Sequence, residues 1–362
     1  TGEEIVNEQT YTFTDRGDRQ VVIRPEMTPT VSRMVAARRQ ELAYPLRWYS
    51  IPNLWRYERP QRGRLREHWQ LNVDLFGVAD TSAELEMISL VDAMFKEFGA
   101  LPDQYEIRLN RRKLMDFALK SYAGLSDEEA HRASKLIDRR AKMPADEFNA
   151  QVPAADKLLP VLDAAQVADL PGELQEQAQE LAGVISKLNE AGISNVKFDP
   201  SIMRGFDYYT DIVFEVFDLN PENNRSMLGG GRYDGLVGLF GVDPVPTVGF
   251  GWGDVTLENF LEGHGLLPKL QSETQLYVAL AGDVLDRAQP VIAQLRAQGV
   301  NVAVDLSGRK IGDQLKAADK KGISRVLIIG ANELESGQFT LKDLVSGDEP
   351  LLDETGLLTA LK

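Results

Sequence analysis

The chain has no cysteine and only three histidines, His68, His131 and His264, among its 362 residues. Without cysteine there is no disulfide and no thiolate metal site. Three scattered histidines offer no metal-binding cluster, so no protein-ligated metal is expected. No apolar run approaches the roughly 18 residues that a membrane span needs, so no membrane association is expected either. Neither a Gly-x-x-x-x-Gly-Lys-Ser/Thr loop nor a His-Glu-x-x-His pair occurs. Excess positive charge is also missing: 40 Lys and Arg against 55 Asp and Glu give a formal charge of −15. That balance argues against indiscriminate nucleic-acid binding but leaves room for a local basic face. No leader pattern is visible, and the cytoplasm is the expected compartment.

With 362 residues, 43% of them hydrophobic and 26% charged, the expectation is a globular protein of two or three domains. Against its acidic background stands one basic cluster, Arg56-Tyr57-Glu58-Arg59-Pro60-Gln61-Arg62-Gly63-Arg64-Leu65-Arg66, with five arginines in eleven residues. Pro60 and Gly63 interrupt it, so it reads as strand, loop, strand. Apolar stretches at residues 49–55 and 71–78 flank it, and 47–78 is expected to form a hairpin at the edge of a core. Guanidinium groups stay charged and repel one another unless an anion sits among them, and their planar fork matches phosphate. A solvated basic loop is the competing reading.

Residues 11–14 and 20–24 are expected as short strands around the turn 15–18, with a helix starting at Pro29 and running to about Gln40. Leu85, Ile88, Leu90, Val91, Met94 and Phe95 recur at helical spacing over 82–99, and 105–110 reads as a strand. From 111 to 192 the pattern is almost wholly helical, with Leu181, Val184, Ile185 and Leu188 on one face of its last helix. Strand character returns at 195–198, 208–217 and 247–253, and a helix then runs to about Gly263. After a linker at 265–274, strands at 276–280, 302–304 and 325–329 alternate with helices at 283–298 and 312–321, and 339–343 adds a strand. Such alternation indicates a small α/β domain with a mainly parallel sheet.

With no nucleophile–base pair available, the remaining chemistry is positioning and charge stabilisation by cations, which suits phosphoryl or nucleotidyl transfer. Arg56, Arg64 and Arg66 lie in the hairpin, and Arg204 opens Arg204-Gly205-Phe206-Asp207-Tyr208-Tyr209-Thr210. Within a strand, Tyr208 and Tyr209 would point to opposite faces, one into the core and one into a pocket wall. The triple glycine 229–231 is read as a bulge or a close backbone contact before a phosphate loop.

Together these peptides resemble the histidyl-tRNA synthetase family of class II aminoacyl-tRNA synthetases. Residues 56–66 with Gln70 resemble its motif 2, while 204–210 and Gly230-Gly231-Arg232-Tyr233-Asp234-Gly235-Leu236 resemble its two signature peptides. Arg24-Pro25-Glu26-Met27-Thr28 resembles the amino-acid-binding turn, and Asp305-Leu306-Ser307-Gly308-Arg309-Lys310 with Ala318-Asp319-Lys320 resembles the anticodon-binding domain. The implied fold class is α/β: an α+β catalytic domain with a mainly antiparallel sheet at 1–110 and 193–265, a helical insertion at 111–192, and a C-terminal α/β anticodon-binding domain at 274–362.

The resemblance implies a ligase that makes histidyl-adenylate from histidine and ATP, with Mg2+ bridging the phosphates, and then charges tRNA(His). It implies a homodimer. Arg56 would hold the α-phosphate of ATP, Glu58 the adenine side, and Arg64 and Arg66 the phosphates or the tRNA acceptor end. Glu26, Thr28, Gln70 and Asp74 would bind histidine, with Tyr208, Tyr209 and Tyr233 around its imidazole. Arg204 would stabilise the charge that develops as the carboxylate attacks. Arg309, Lys310 and Lys316 would face tRNA, as would the helical insertion.

The sequence departs from the family at Thr256, where the third motif has an arginine that contacts the terminal phosphate. No counterpart of the N-terminal helix and first-motif strand precedes Thr1, so an N-terminally incomplete subunit is expected. A histidine-binding regulatory subunit of ATP phosphoribosyltransferase is the alternative, favoured by Thr256 and disfavoured by the intact arginine hairpin and the C-terminal domain. A pseudo-synthetase that senses uncharged tRNA is a third reading, disfavoured because the histidine-specific residues are present.

Overall fold

The computed structural model describes residues 3–58, 63–140, 143–203, 208–223, 225–268, 270 and 272–361. It divides into two units, Thr1–Leu267 and Pro268–Lys362.

In the first unit β1 (Tyr11–Thr14) and β2 (Gln20–Ile23) form a separate hairpin. An eight-stranded sheet then collects β3 (Leu46–Ser50), β4 (Asn53–Trp55), β5 (Glu67–Phe76), β6 (Tyr105–Arg111), β7 (Val196–Phe198), β8 (Ile212–Asp218), β9 (Ser226–Arg232) and β10 (Thr247–Gly253). Their order is β3-β5-β10-β9-β8-β6-β7, with β4 paired to the far end of β5, and only β6 and β7 run parallel. The mainly antiparallel sheet of the sequence reading is therefore present.

Side chains alternate between the two faces of a strand, and the sheet uses that period to separate core from site. One face carries Leu71, Val73 and Leu75 of β5, Ile107 and Leu109 of β6, Phe214 and Val216 of β8, and Val248, Phe250 and Trp252 of β10. The helix Ser82–Glu97 covers it with Met87, Ile88, Val91 and Phe95, joined by Leu181, Val184 and Leu188 of the helix Gln179–Glu190 and by Phe260 of the helix Asp254–Gly263. Phe95 is stacked between Tyr105 and Trp252, at 4.2 and 4.6 Å between ring centroids. Each such side chain contributes about 1.5–3 kcal/mol by leaving water.

The helical segment between β6 and β7 splits into two parts. Its last helix belongs to the sheet core, while Met115, Leu119, Ala130, Ala133, Ile137, Phe148, Val152, Leu158 and Leu162 make a small core of their own. Arg111, at the end of β6, ties the last helix to the sheet: its guanidinium donates to Asp211, just before β8, at 2.6 Å and to the Gln177 carbonyl at 2.8 Å.

The second unit is a five-stranded sheet, β11 (Leu276–Ala281), β12 (Val302–Val304), β13 (Arg325–Gly330), β14 (Phe339–Asp343) and β15 (Leu351–Leu352), in the order β12-β11-β13-β14-β15. The first three strands are parallel, and β14 and β15 extend the sheet antiparallel. The helices Ala331–Ser336 and Glu354–Leu361, and strand β15, are not among the expected elements; each is short, the first following Gly330 and the strand following Pro350. Among the described residues no helix is long and apolar enough to cross a membrane.

Gly230 lies on the core face of β9, where a Cβ would stand 2.5 Å from the Gly249 carbonyl and 2.6 Å from Phe250 Cβ. The triple glycine is thus a close strand contact, one of the two readings open from the sequence. Gly230→Ala is expected to destabilise the first unit by about 1–3 kcal/mol, as overpacking of a tight core does. All four tryptophans, Trp48, Trp55, Trp69 and Trp252, lie in this unit. Denaturant unfolding followed by tryptophan fluorescence therefore reports on it alone, and an unchanged midpoint would contradict the prediction.

Candidate functional site

The second face of the sheet is built for something other than packing. Its two central strands present glycine at the middle of that face: Gly229 and Gly231 on β9 pair with Gly251 and Gly249 on β10. Bare backbone therefore forms a floor. On one side β5 raises a polar wall of His68, Gln70, Asn72 and Asp74, the alternate residues to the buried Leu71, Val73 and Leu75. Gly249 is opposite Asp74 and Gly251 is opposite Asn72. Gly249 is obligatory, because a Cβ there would lie 2.5 Å from both Tyr233 Oη and the Val73 carbonyl, while one at Gly251 would displace the Gln70 amide.

One end of the hollow is closed by tyrosines. Tyr208, Tyr209 and Tyr233 form a mutual cluster with ring centroids 5.1–6.0 Å apart, packed with Ile202, Val213 and Leu236. This corrects the expectation that Tyr208 and Tyr209 alternate across a strand. β8 starts only at Ile212, so both rings leave an irregular segment towards the same cluster. Tyr233 is fixed from behind by its neighbour Arg232. That guanidinium forms a bidentate pair with buried Glu84, at 2.6 and 2.7 Å, and donates to the Val78 and Asp80 carbonyls.

Tyr233 donates its hydroxyl proton to Asp74 Oδ1 in a short bond. Burial, partly offset by that bond, pushes the Asp74 carboxyl up from its ordinary 3.8 to about 7. The three tyrosine hydroxyls are pushed up as well, first by burial, so they stay protonated and act as donors. Glu26 and Thr28 enter from the start of the helix Thr28–Ala37, which Phe76, Val31 and Val35 seat on the sheet. Both are buried, and Tyr208 Oη lies 3.5 Å from Glu26 Oε2.

The other end is the arginine hairpin, formed by β4 and β5 with Trp55 opposite Glu67. Arg56 Nε donates to the Pro25 carbonyl at 2.9 Å, which aims its guanidinium into the site beside Glu26, Glu58 and Tyr208. Burial lowers its pKa, opposed by the two glutamates. Arg64 pairs with Glu58 at 3.0 Å, and Arg66 lies 4.4 Å over the Tyr57 ring with Nε donating to the Glu58 carbonyl. Arg59 and Arg62 of the cluster, and Arg204, lie outside the described residues. Thr256 sits in the first turn of the helix Asp254–Gly263, with its hydroxyl turned to the Met227 and Gly253 carbonyls at 2.8 and 2.9 Å.

The structure thus brings Glu26, Thr28, Arg56, Gln70, Asp74, Tyr208, Tyr209 and Tyr233 around one hollow, with Glu58, Arg64 and Arg66 on the adjoining hairpin. Two residues of the wall, His68 and Asn72, escaped the sequence reading. Their signal was the period-2 alternation of polar residues at 68, 70, 72 and 74, hidden when 71–76 is read simply as an apolar run. Burial and the charge of Arg56 hold the His68 imidazole below its ordinary pKa. In the second unit, Arg309, Lys310 and Lys316 are exposed at and after the start of the helix Ile311–Lys320. Gln314 anchors that helix start by bonding both backbone groups of Leu280. Among the described residues no three His, Asp or Glu side chains converge on a metal-sized point.

The architecture recurs in solved synthetase structures. A histidyl-tRNA synthetase from Nostoc sp. PCC 7120 aligns over 100% of this chain and 89% of its own, with a TM-score of 0.77 and 23% identity. A structure described as an ATP phosphoribosyltransferase regulatory subunit/histidyl-tRNA synthetase, from Bacillus halodurans, aligns over 91% of this chain and 85% of its own, with a TM-score of 0.73 and 23% identity. At that identity they establish the fold alone. Sequence relatives are more specific. A histidine–tRNA ligase of Leptospira biflexa is 44% identical over 96% of this chain and 83% of its own length, and one of Haloarcula marismortui is 36% identical over the same shares. The histidyl-tRNA synthetase family model matches residues 1–253, and an anticodon binding domain model matches residues 275–362. The chain belongs to the histidyl-tRNA synthetase family.

Asp74 predicts an unusual stability profile. Between about pH 4 and 7 the folded state holds a proton that the unfolded chain has released, so this group's contribution to stability falls as pH rises through that window. Asp74→Asn keeps the acceptor for Tyr233 and removes the ionisation. Its stability relative to the parent should be more favourable at pH 8 than at pH 5 by roughly 2–3 kcal/mol, measured by tryptophan-detected unfolding. A difference independent of pH would contradict the assigned carboxyl shift.

Proposed function

We infer that this chain is a histidine–tRNA ligase. The observation that carries the reading is the hollow, with its buried carboxyl and tyrosines at one end and Arg56 at the other. An amino acid of histidine's size placed there would have its imidazole N–H at Asp74 and its ammonium at Glu26 and Thr28. Its carboxylate would point towards Arg56, beside Gln70. ATP would lie along the arginine hairpin, with its α-phosphate at Arg56, its adenine side at Glu58 and its outer phosphates towards Arg64 and Arg66.

A carboxylate oxygen of histidine then attacks the α-phosphorus, the α–β anhydride bond breaks, and pyrophosphate leaves with the electron pair. Arg204 and Arg56 neutralise the charge that grows on the phosphoryl oxygens, where a fixed cation is worth most. A hydroxyl of the terminal adenosine of tRNA(His) next attacks the carbonyl carbon of the adenylate and AMP departs. The pocket selects histidine because its own buried polar groups stay unpaired with any substrate lacking the imidazole N–H. Mg2+, a hard cation suited to oxygen ligands, would enter on the phosphate oxygens of ATP, with Asp254 and Glu58 the carboxylates that face His68 at that end.

Arg309, Lys310 and Lys316 are proposed to meet tRNA, and the small helical core between residues 115 and 162 to contact it as well. A cytoplasmic homodimer fits the reading, with exposed Tyr49, Ile51 and Trp69 near the β3 edge of the sheet available to a partner. A histidine-binding regulatory subunit is less supported, because the anticodon binding domain is present and the curated relatives at 36–44% identity carry the ligase name.

Pyrophosphate exchange into ATP tests the reading, with histidine-dependent exchange expected and none with other amino acids. Arg204→Ala should slow exchange at saturating histidine by at least about 10²-fold, with a much smaller change in KM for histidine. Histidine binding without exchange in the unaltered chain would favour the regulatory reading. A normal rate in the variant once saturated would remove Arg204 from the chemistry.

A further inference from the structure

Asn72 stands at the middle of the polar wall of β5, between Gln70 and Asp74, and is 4% exposed. Its Nδ2 donates to Thr28 Oγ1 at 3.3 Å, while its Oδ1 has no hydrogen-bond partner among the described residues. Buried amide oxygens are nearly always paired, so one that persists unpaired at the lip of a hollow marks where a donor arrives from outside. The Thr28 hydroxyl that accepts from the Asn72 amide is also a hydrogen-bond partner of Tyr208, so Asn72 is tied to the tyrosine end of the site. Across the ladder from Asn72 is Gly251. A Cβ there would stand 3.6 Å from the Asn72 amide nitrogen, in van der Waals contact, so the glycine leaves that flank of Asn72 uncovered.

The donors that an amino-acid substrate brings are its ammonium and any side-chain N–H. Alternate residues of a strand are roughly 7 Å apart, a gap that the imidazole and ammonium of one histidine cross with the help of a hydrogen bond at each end. The side-chain end of the substrate belongs at Asp74 and the tyrosines, and its carboxylate belongs towards Arg56. The α-carbon and its ammonium fall between them, beside Thr28 and Asn72.

We propose that Asn72 is a positioning and specificity residue of the amino-acid site, its Oδ1 accepting an N–H bond from the α-ammonium group of the substrate. This deepens the functional reading above and rests on it. The residue type suits the place. Glu26 and Asp74 already bring two carboxyls to the hollow, and a third would raise the pKa of its neighbours and leave surplus charge once the ammonium is bound. An amide supplies the acceptor without the charge.

The test compares histidine with 3-(imidazol-4-yl)propanoate, which differs only in lacking the ammonium. Affinities come from calorimetry on the full chain and on its Asn72→Ala, Asn72→Leu and Asn72→Asp variants. Asn72→Leu keeps the shape without the acceptor, and tryptophan-detected unfolding checks that each variant is folded. Asn72→Ala and Asn72→Leu should each weaken histidine by roughly tenfold and the propanoate by less than about twofold, so the preference for the ammonium collapses. Asn72→Asp should retain that preference. Equal weakening of both ligands, or an unchanged ratio between them, would overturn the proposal while histidine binding itself still stands. A full chain that bound neither ligand would overturn the functional reading and this inference together.

Discussion

The Asp74 carboxyl is buried at the end of a polar wall, with Tyr233 donating to it, and that burial lifts its pKa to about 7. Much of the surrounding structure serves to impose that burial. Gly249 must be bare for Tyr233 and Asp74 to meet above it. Arg232 must be locked on Glu84 for Tyr233 to keep its direction. The large residues Val248, Phe250 and Trp252 of the same strand must face the other way, where Phe95 and its helix cover them. With a full hydrophobic core on one face of the sheet, the bare backbone on the other gives the room that Tyr233, Asp74 and Gln70 take up.

Much of this was legible in the sequence because the signals were local. The helical period of 82–99 gave Ser82–Glu97, and the strand–helix alternation after 274 gave the second unit's core strands. The arginine hairpin was readable from Pro60 and Gly63 inside a charge cluster. What stayed hidden depended on tertiary pairing. The wall of β5 is a period-2 pattern, but the buried positions Val73 and Leu75 make the run look uniformly apolar when the neighbouring strands are unknown. The glycines of β9 and β10 become a floor only because antiparallel register sets Gly231 beside Gly249 and Gly229 beside Gly251. Tyr208 and Tyr209 reach one cluster because the strand starts after them, and strand starts are set by pairing with β6 and β9 more than by propensity.

Arg232 shows how a recognisable peptide can hide a division of labour. In 230–236 the glycines, the arginine and the tyrosine look like one signature, yet they act on different faces. Gly230 and Arg232 belong to the core side, and Gly231 to the floor of the hollow. Thr256 shows the converse, a departure from the family pattern that the fold absorbs. A threonine fits the first turn of its helix by bonding strand carbonyls.

The claim at the centre of this account is that burial keeps Asp74 protonated up to about pH 7. Infrared difference spectroscopy between the chain and its Asp74→Asn variant reads that proton directly, through the carbonyl stretch of a protonated carboxylic acid. The account predicts a band that is present near pH 6, sensitive to the substitution, and lost with a midpoint near pH 7. A carboxylate spectrum already complete near pH 5, with no acid band removed by Asp74→Asn, would contradict it.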